Sequence, residues 1–295
     1  MPAPSAPTRT QRWREKSALY RPAGEDGFDA GRYAVAEIPK ATGKTFVTAH
    51  HYTGVFPQTR FQFGLFDTQA EPNAQLVGVI SLGNGSHPNA LTNPFPQLAP
   101  YEESLDLNRM VLRDSVPANG ESWFAARALR LAAEHGVRGV IAFSDPSEFW
   151  QPGPDGQLVQ VKRGHYGVAY QGLNMDYLGQ TRPSWKDYFP DGIEWNRRSI
   201  SKVANGEVGA DGVVARLVAR GAPPLTADLD PGQWIERAKR ACGITRRWHE
   251  GNHKYAVRIG RTRGERTRSV IGLAARPYPK PTPPLFLHGM DGVAR

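Results

Sequence analysis

Apolar residues fall in short runs separated by polar stretches rich in Gly and Pro, and those runs set the order of elements. Tyr33–Ile38 (YAVAEI) predicts a strand. After Pro39, Lys40–Tyr52 predicts a helix with Ala41, Phe46, Val47 and Ala49 as its apolar content, although Gly43 weakens it. Phe61–Asp67 (FQFGLFD) and Leu76–Leu82 (LVGVISL) predict a hairpin joined by a polar loop. Gly83–Pro100 is dense in Gly, Asn and Pro and predicts a long surface loop of the kind that lines sites.

The stretch Leu105–Asp145 carries the strongest pattern. It predicts a strand, a polar loop, a helix opened by Asn119, Gly120, Glu121 and Ser122, and a buried strand that ends on an aspartate. Trp123, Phe124, Ala128, Leu131 and Ala132 give that helix its apolar side. Beyond it, Trp150–Gln160 reads as a turn-rich break, and Tyr166–Leu178 has aromatics partly at helical spacing. Trp195–Val203, the stretch ending at Arg216–Gly221, and Pro231–Cys242 predict short helices, and Lys254–Ile259 predicts a closing strand.

The alternation of strands and helices suits an α/β (α+β) fold: a mixed, largely antiparallel central sheet with helices on both faces. With 295 residues the chain can bury one large core without staples. Residues 1–30, rich in Pro, Ala, Gly and Arg, are expected to be a mostly disordered lead with a short turn near Trp13. The expected folded domain is 31–262, and 263–295 is an expected Pro-rich, extended tail.

Net charge is +9, and its placement says more than its size. Arg216–Arg276 holds 14 Lys and Arg against 5 Asp and Glu, leaving 23 of each sign elsewhere, so the excess is confined to one segment. Clustered cations favour a polyanion such as DNA, which releases counterions on binding. The lone Cys242 makes no internal disulfide and is expected to be packed rather than nucleophilic. No apolar run has the length of a membrane span and no apolar signal core opens the chain, so cytoplasm is the expected compartment.

Several blocks resemble one family. They are HHY at 50–52, FGLFD at 63–67, LVGVISLG at 76–83, LNRMVL at 107–112, DSVPANGESWF at 114–124, GVRGVIAFSDP at 136–146, GHYGVAYQGLN at 164–174 and GNHKY at 251–255. Together, and in this order, they resemble the Mom family of phage DNA modification proteins over roughly residues 30–260. The resemblance implies a fold related to the GCN5-type N-acetyltransferases. It also implies conversion of adenine in DNA to an N6-carbamoylmethyl (acetamido) derivative, which hides the DNA from restriction enzymes. Acetyl-CoA or another acyl donor, and a bound iron, are the cofactors it suggests. One departure stands out. The glycine-rich loop that holds the pyrophosphate in acetyltransferases is here Pro117–Ser122, with one glycine, and Glu121 would repel a diphosphate.

The chemistry-bearing residues follow from type and place. His51 can act as general base or metal ligand; His50 beside it diverges by about 100° on a helix, so only one of them faces a site. Arg109 interrupts an apolar strand and needs a partner. Ser122 is a hydrogen-bonding or capping group in the first helical turn. Asp145 ends a buried strand and is a base, a metal ligand, or a turn former before Pro146. Tyr166, Tyr170 and Asn174, spaced by four, would share a helical face able to stack on adenine and read its edge. His249 and His253 lie in a basic loop, where their spacing is either chance or phosphate contact. The catalytic candidates are therefore His51, Asp145 and Ser122. Tyr52, Arg109, Tyr170 and Asn174 are candidates for substrate, Asn119 and Gly120 for cofactor, and His51 with Asp145 for metal. Double-stranded DNA and a small-molecule donor are the expected partners. A conventional acyl-CoA-dependent N-acetyltransferase acting on a small amine or protein, and a DNA-binding protein without catalysis, are the alternative readings.

Overall fold

The computed structural model describes residues 9–14, 17–22, 27–51, 54–85, 87–117, 119–153, 155–162 and 164–280. Two strands, β1 (Arg9–Arg14) and β2 (Ser17–Pro22), pair as an antiparallel hairpin. Next come β3 (Tyr33–Glu37), α1 (Lys40–His50), β4 (Thr59–Asp67), β5 (Gln75–Gly83) and α2 (Asn89–Thr92). They are followed by β6 (Ser104–Leu112), α3 (Gly120–Glu134), β7 (Gly139–Ser144), the hairpin β8 (Phe149–Pro152) and β9 (Leu158–Lys162), α4 (Val168–Gly172) and β10 (Asp176–Gln180). The chain continues through β11 (Ser184–Tyr188), β12 (Glu194–Trp195), α5 (Arg197–Ala204), α6 (Ala210–Val218), α7 (Pro231–Ala241), β13 (Thr245–His249), β14 (His253–Arg258) and α8 (Arg263–Arg268).

Seven strands form one sheet in the order β10-β14-β7-β6-β5-β4-β3. Every neighbouring pair is antiparallel except β6 and β7, which run parallel around the crossover helix α3. This mixed, mainly antiparallel sheet flanked by helices is the predicted fold class. The parallel pairing covers only Ser104–Leu107 against Gly139–Ala142, while both strands continue beyond it. The sheet therefore opens between β6 and β7 near the start of α3.

Helix α3 packs one face of the sheet. Phe124, Ala125, Ala128, Leu129, Ala132 and Ala133 make a buried stripe against Phe63, Leu65, Leu105 and Leu107. Gly136, at φ +87, ends the helix where a side chain would be strained. On the other face, Phe46 and Val47 of α1 cover Val79 and Val111, and α2 brings Leu91 beside Phe95 and Ile141. A second cluster is built by α5, α6 and α7 around the fully buried Trp234, whose indole N–H donates to the Pro223 carbonyl (2.8 Å). Cys242 is packed there, and burial pushes its thiol pKa up.

Several local expectations are corrected. The mostly disordered lead contains a paired hairpin at Arg9–Pro22. The long loop after β5 holds α2, and the turn-rich break is the β8–β9 hairpin. The helix expected across Tyr166–Leu178 is only five residues long and gives way to edge strand β10. A three-stranded sheet, β12-β11-β13, was not foreseen. The segment after residue 262 forms α8 and then docks on the main sheet. Gly272 N–H donates to Pro94 (2.8 Å), Arg276 N–H to Tyr177 (2.8 Å), and Tyr278 hydroxyl to Met175 (3.0 Å). Residues 281–295 of the expected tail lie outside the described residues.

Candidate active site

The opening between β6 and β7 is shaped by one irregularity. Ser81 of β5 pairs with Arg109, but its neighbour Leu82 pairs with Leu107, so Asn108 is an extra residue in β6. A bulge reverses the alternation of faces beyond it. Leu105 and Leu107 face α3 before the bulge, and Val111 faces α1 after it. Asp106 and Arg109 consequently share the α1 face although they are three residues apart.

Around this bulge the chain is closely tied. Ser81 hydroxyl donates to Asn108 Oδ1 (3.0 Å), Asn108 Nδ2 to the Gln58 carbonyl (3.3 Å), and Arg109 Nε to the Val55 carbonyl (3.0 Å). Gly83 lets this loop lie flat, since a Cβ there would collide with the Gln58 carbonyl and with Asn108. The loop begins at the end of α1, so the same contacts bring His51 to Arg109.

His51 is partly buried and caps α1, its N–H donating to Val47 (2.9 Å). Its pKa is lowered to about 3, first by burial and then by the neighbouring charges of Arg109 and His165. It is a neutral imidazole at physiological pH. His50 turns elsewhere, its ring 4.5 Å from that of Phe46, so the two histidines diverge as expected. Tyr52 lies outside the described residues.

Asp106 was not singled out from the sequence. It is 9% exposed and its Oδ1 has no hydrogen-bond partner among the described residues. Burial pushes its pKa up to about 7, and Arg109 holds it from rising further. The available signal was a carboxylate in the apolar run LDLNRM, two residues before the bulge.

Asp145 occupies a different setting. Its Oδ1 accepts from His249 Nε2 (3.0 Å) and from Ser147 N–H (2.9 Å). Gly251 N–H donates to His249 Nδ1 (2.9 Å), which leaves Nε2 as the protonated nitrogen facing Asp145. The Asp145 carbonyl accepts from the His165 N–H (2.9 Å), and the His165 side chain stands near His51. His165 thus links the Asp145 turn to the Arg109 cluster. Gly164 permits that link, because a Cβ would run into Pro146.

Ser122, Asn119 and Gly120 approach from the α3 face. Ser122 hydroxyl donates to the Asn119 carbonyl (3.3 Å) and lies against Gly172 of α4. Asn119 is left-handed (φ 72) at the helix start. Gly120 is buried, and a Cβ on it would come within 2.5 Å of Val116. Tyr170 fills the core with its ring 5.4 Å from Tyr255. Tyr166, Tyr170 and Asn174 do not share a helical face: α4 begins after the left-handed Gly167 and ends before Asn174, which is exposed and left-handed (φ 53). His253 is buried and bonds Tyr177 hydroxyl (2.9 Å), and His249 is buried against Asp145, so neither is arranged as a phosphate contact.

Neither implied cofactor fits the described residues in an ordinary way. The single glycine of Pro117–Ser122 is used for packing under Val116, and the first turn of α3 carries Glu121. A diphosphate cradle needs open backbone amides and no carboxylate there. For a metal, Asp145 Oδ1 is occupied by two donors, and His51 stands among positive charges. Among the described residues no group of three or more His, Cys, Asp or Glu is placed to hold an ion.

The family model of the Mom protein family matches residues 32–225. A relative named methylcarbamoylase mom, from Escherichia phage Mu, is 26% identical over 191 residues, covering 64% of this chain and 70% of that protein. Among solved structures, a putative phosphinothricin N-acetyltransferase is 12% identical with a TM-score of 0.29, covering 51% of this chain and 86% of that one. A tandem GNAT protein from the clavulanic acid biosynthesis pathway is 9% identical with a TM-score of 0.30, covering 76% of this chain and 70% of that one. Among the described residues, no helix is long and apolar enough to cross a membrane.

Proposed function

The chain belongs to the Mom protein family, and from that premise we propose that it is a DNA-modifying transferase. It converts adenine in DNA to an N6-carbamoylmethyl derivative that restriction enzymes do not recognise. Its partners are double-stranded DNA and a small-molecule donor, and it acts in the cytoplasm of the cell that holds the phage DNA. The name of the phage Mu relative supports the group transferred.

The observation that carries the chemistry is Asp106: a buried carboxyl whose Oδ1 has no partner among the described residues, beside Arg109, one residue before the β6–β7 pairing ends and the sheet opens. The N6 lone pair of adenine is delocalised into the ring, so the amine needs a base as it reacts. The Asp106 carboxylate takes one N6 proton as the new N6–C bond forms. The bond from the donor carbon to its leaving group breaks, and that group departs with the electron pair. Arg109 keeps the carboxylate ionisable near neutral pH, and neutral His51 offers a hydrogen bond to the adenine ring. Ser122 contributes a polar group from the α3 side. Asp145 holds His249 and, through its backbone, His165; it is a positioning residue. The adenine must leave the base stack to reach this site.

The test is expression in a bacterial host, followed by digestion of plasmid DNA to nucleosides and mass spectrometry. A deoxyadenosine derivative with the added mass of a carbamoylmethyl group is expected. An ordinary nucleoside profile with folded protein present refutes the reading.

A further inference from the structure

In the three-stranded sheet β12-β11-β13 one face is buried, and the opposite face is covered by the α5–α7 cluster at Trp195 and open along the β11–β13 pair beyond it. Tyr188 and His249 lie on the inner face, both buried, with His249 held by Asp145. The outer face carries Trp185 and Trp248, direct cross-strand neighbours in the register. Their rings meet edge to face at 5.5 Å, and they remain 48% and 55% exposed. Arg246 lies on the same face, its guanidinium 5.8 Å from the Trp185 ring centroid, and is exposed. Arg182, just before β11, is exposed as well; Arg247 belongs to the opposite face, its guanidinium 4.8 Å from the Phe149 ring centroid. The acid on this face, Asp187, is engaged by Lys239 (3.4 Å).

Two exposed indoles are costly to keep in water, and here they form a rigid pair rather than a core. Their surroundings select the occupant. Exposed arginines beside aromatic faces suit a strand with phosphates outside and bases available for stacking. A second copy of the chain would bring Arg246 toward its own symmetry mate, like charge to like charge. A paired duplex hides the faces of its bases, so the indoles would have nothing to stack on. The sheet also lies next to the candidate site, since His249 and Trp248 are consecutive residues pointing to opposite sides of β13.

We infer that the outer face made by Trp185, Trp248 and Arg246 binds an unpaired stretch of DNA, with bases stacked on the indoles and a phosphate held by Arg246. This rests on the proposed DNA modification, in which a base leaves the duplex and its neighbours lose their stacking. It adds a strand-holding surface apart from the catalytic opening.

The experiment uses the full chain and fluorescence anisotropy with a labelled mixed-sequence single strand, and in parallel the matching duplex. Replacing both tryptophans, Trp185→Ala with Trp248→Ala, is expected to weaken single-strand binding about tenfold or more, with little change for the duplex. Trp185→Phe with Trp248→Phe should restore most of the affinity. Unchanged single-strand affinity in a folded alanine variant overturns the inference, as does an equal loss for strand and duplex, or a change in oligomeric state alone. If the alanine pair does not fold, Arg246→Glu carries the test: weakened single-strand binding supports the surface and unchanged binding overturns it. The nucleoside digest separates the two claims. Modified deoxyadenosine with tryptophan-independent strand binding removes this surface and leaves the chemistry. Tryptophan-dependent binding without modified deoxyadenosine removes the chemistry and leaves the surface.

Discussion

Asp106 and Asp145 belong to neighbouring parallel strands, one inside β6 and the other just past β7, yet their surroundings differ completely. Asp145 accepts from His249 and Ser147, and the imidazole it holds is itself fixed by Gly251. Asp106 is buried with one oxygen unpartnered among the described residues. A satisfied carboxylate stabilises a fold, whereas an unsatisfied one weakens it and persists where a ligand completes it. Under the proposed function, the region around Asp145 is the frame and the region around Asp106 is the working part.

The sharpest way to break this contrast is Asp106→Asn. It keeps the shape, removes the base, and should lower modification about 100-fold or more. The variant should also be more stable than the parent near neutral pH, because a buried charge is gone. A stable variant with full activity, measured by nucleoside digest and chemical denaturation, would move the base elsewhere. Asp145→Ala should behave in the opposite way. It leaves the His249 N–H without its acceptor in a site 1% exposed, and should destabilise the protein by about 2–3 kcal/mol. Activity per folded molecule should fall only a few-fold, because His165 keeps the residue-145 carbonyl while His249 loses its anchor.

The same contrast has a pH signature. With its folded pKa raised to about 7, Asp106 binds a proton in the native state that the unfolded chain has already released. Its contribution is fully present below the ordinary carboxylate range. It declines as pH rises from about 4 to about 7, by on the order of 3 kcal/mol. His51 works against this in acid. Its folded pKa of about 3 means that the unfolded chain gains a proton first, so stability falls as pH drops from 6.5 toward 3. Denaturation curves of the parent, Asp106→Asn and His51→Gln across pH 4–8 should separate the two slopes. Activity of the parent should rise through about pH 7 as Asp106 ionises.

How far the sequence reached follows from the same residues. The hairpin β4–β5 and the strand–helix–strand unit were legible because their apolar periods are long. Arg109 was legible as a charge in an apolar strand. Asp106 was not, because plain alternation sends residues 106 and 109 to opposite faces and only the bulge at Asn108 reunites them. A bulge depends on register with β5, which is tertiary information. Tyr170 and Asn174 misled for a similar reason. Their spacing suits a helix, but the left-handed Gly167 and Asn174 confine it to one turn, and tertiary packing on Tyr255 prevails. The strands β11 and β13 were hidden because they are short and lie far apart in the chain.

The smallest effect tests whether both faces of the sheet contribute. Ser122 hydroxyl makes a long bond to the Asn119 carbonyl at the start of α3 and faces Gly172 of α4, where an added Cβ would come 3.9 Å from it. A hydroxyl so placed adds little to the fold, so Ser122→Ala should change stability by no more than about 0.5 kcal/mol. Its effect on modification then reads out contact with donor or base directly, free of folding losses. A decrease of a few-fold is expected if the α1 face, with Asp106, Arg109 and His51, carries the reaction and α3 only borders the opening. A decrease approaching that of Asp106→Asn would mean that the reacting atoms sit in the gap between β6 and β7, within reach of both faces, and the division into frame and working part would have to include the start of α3.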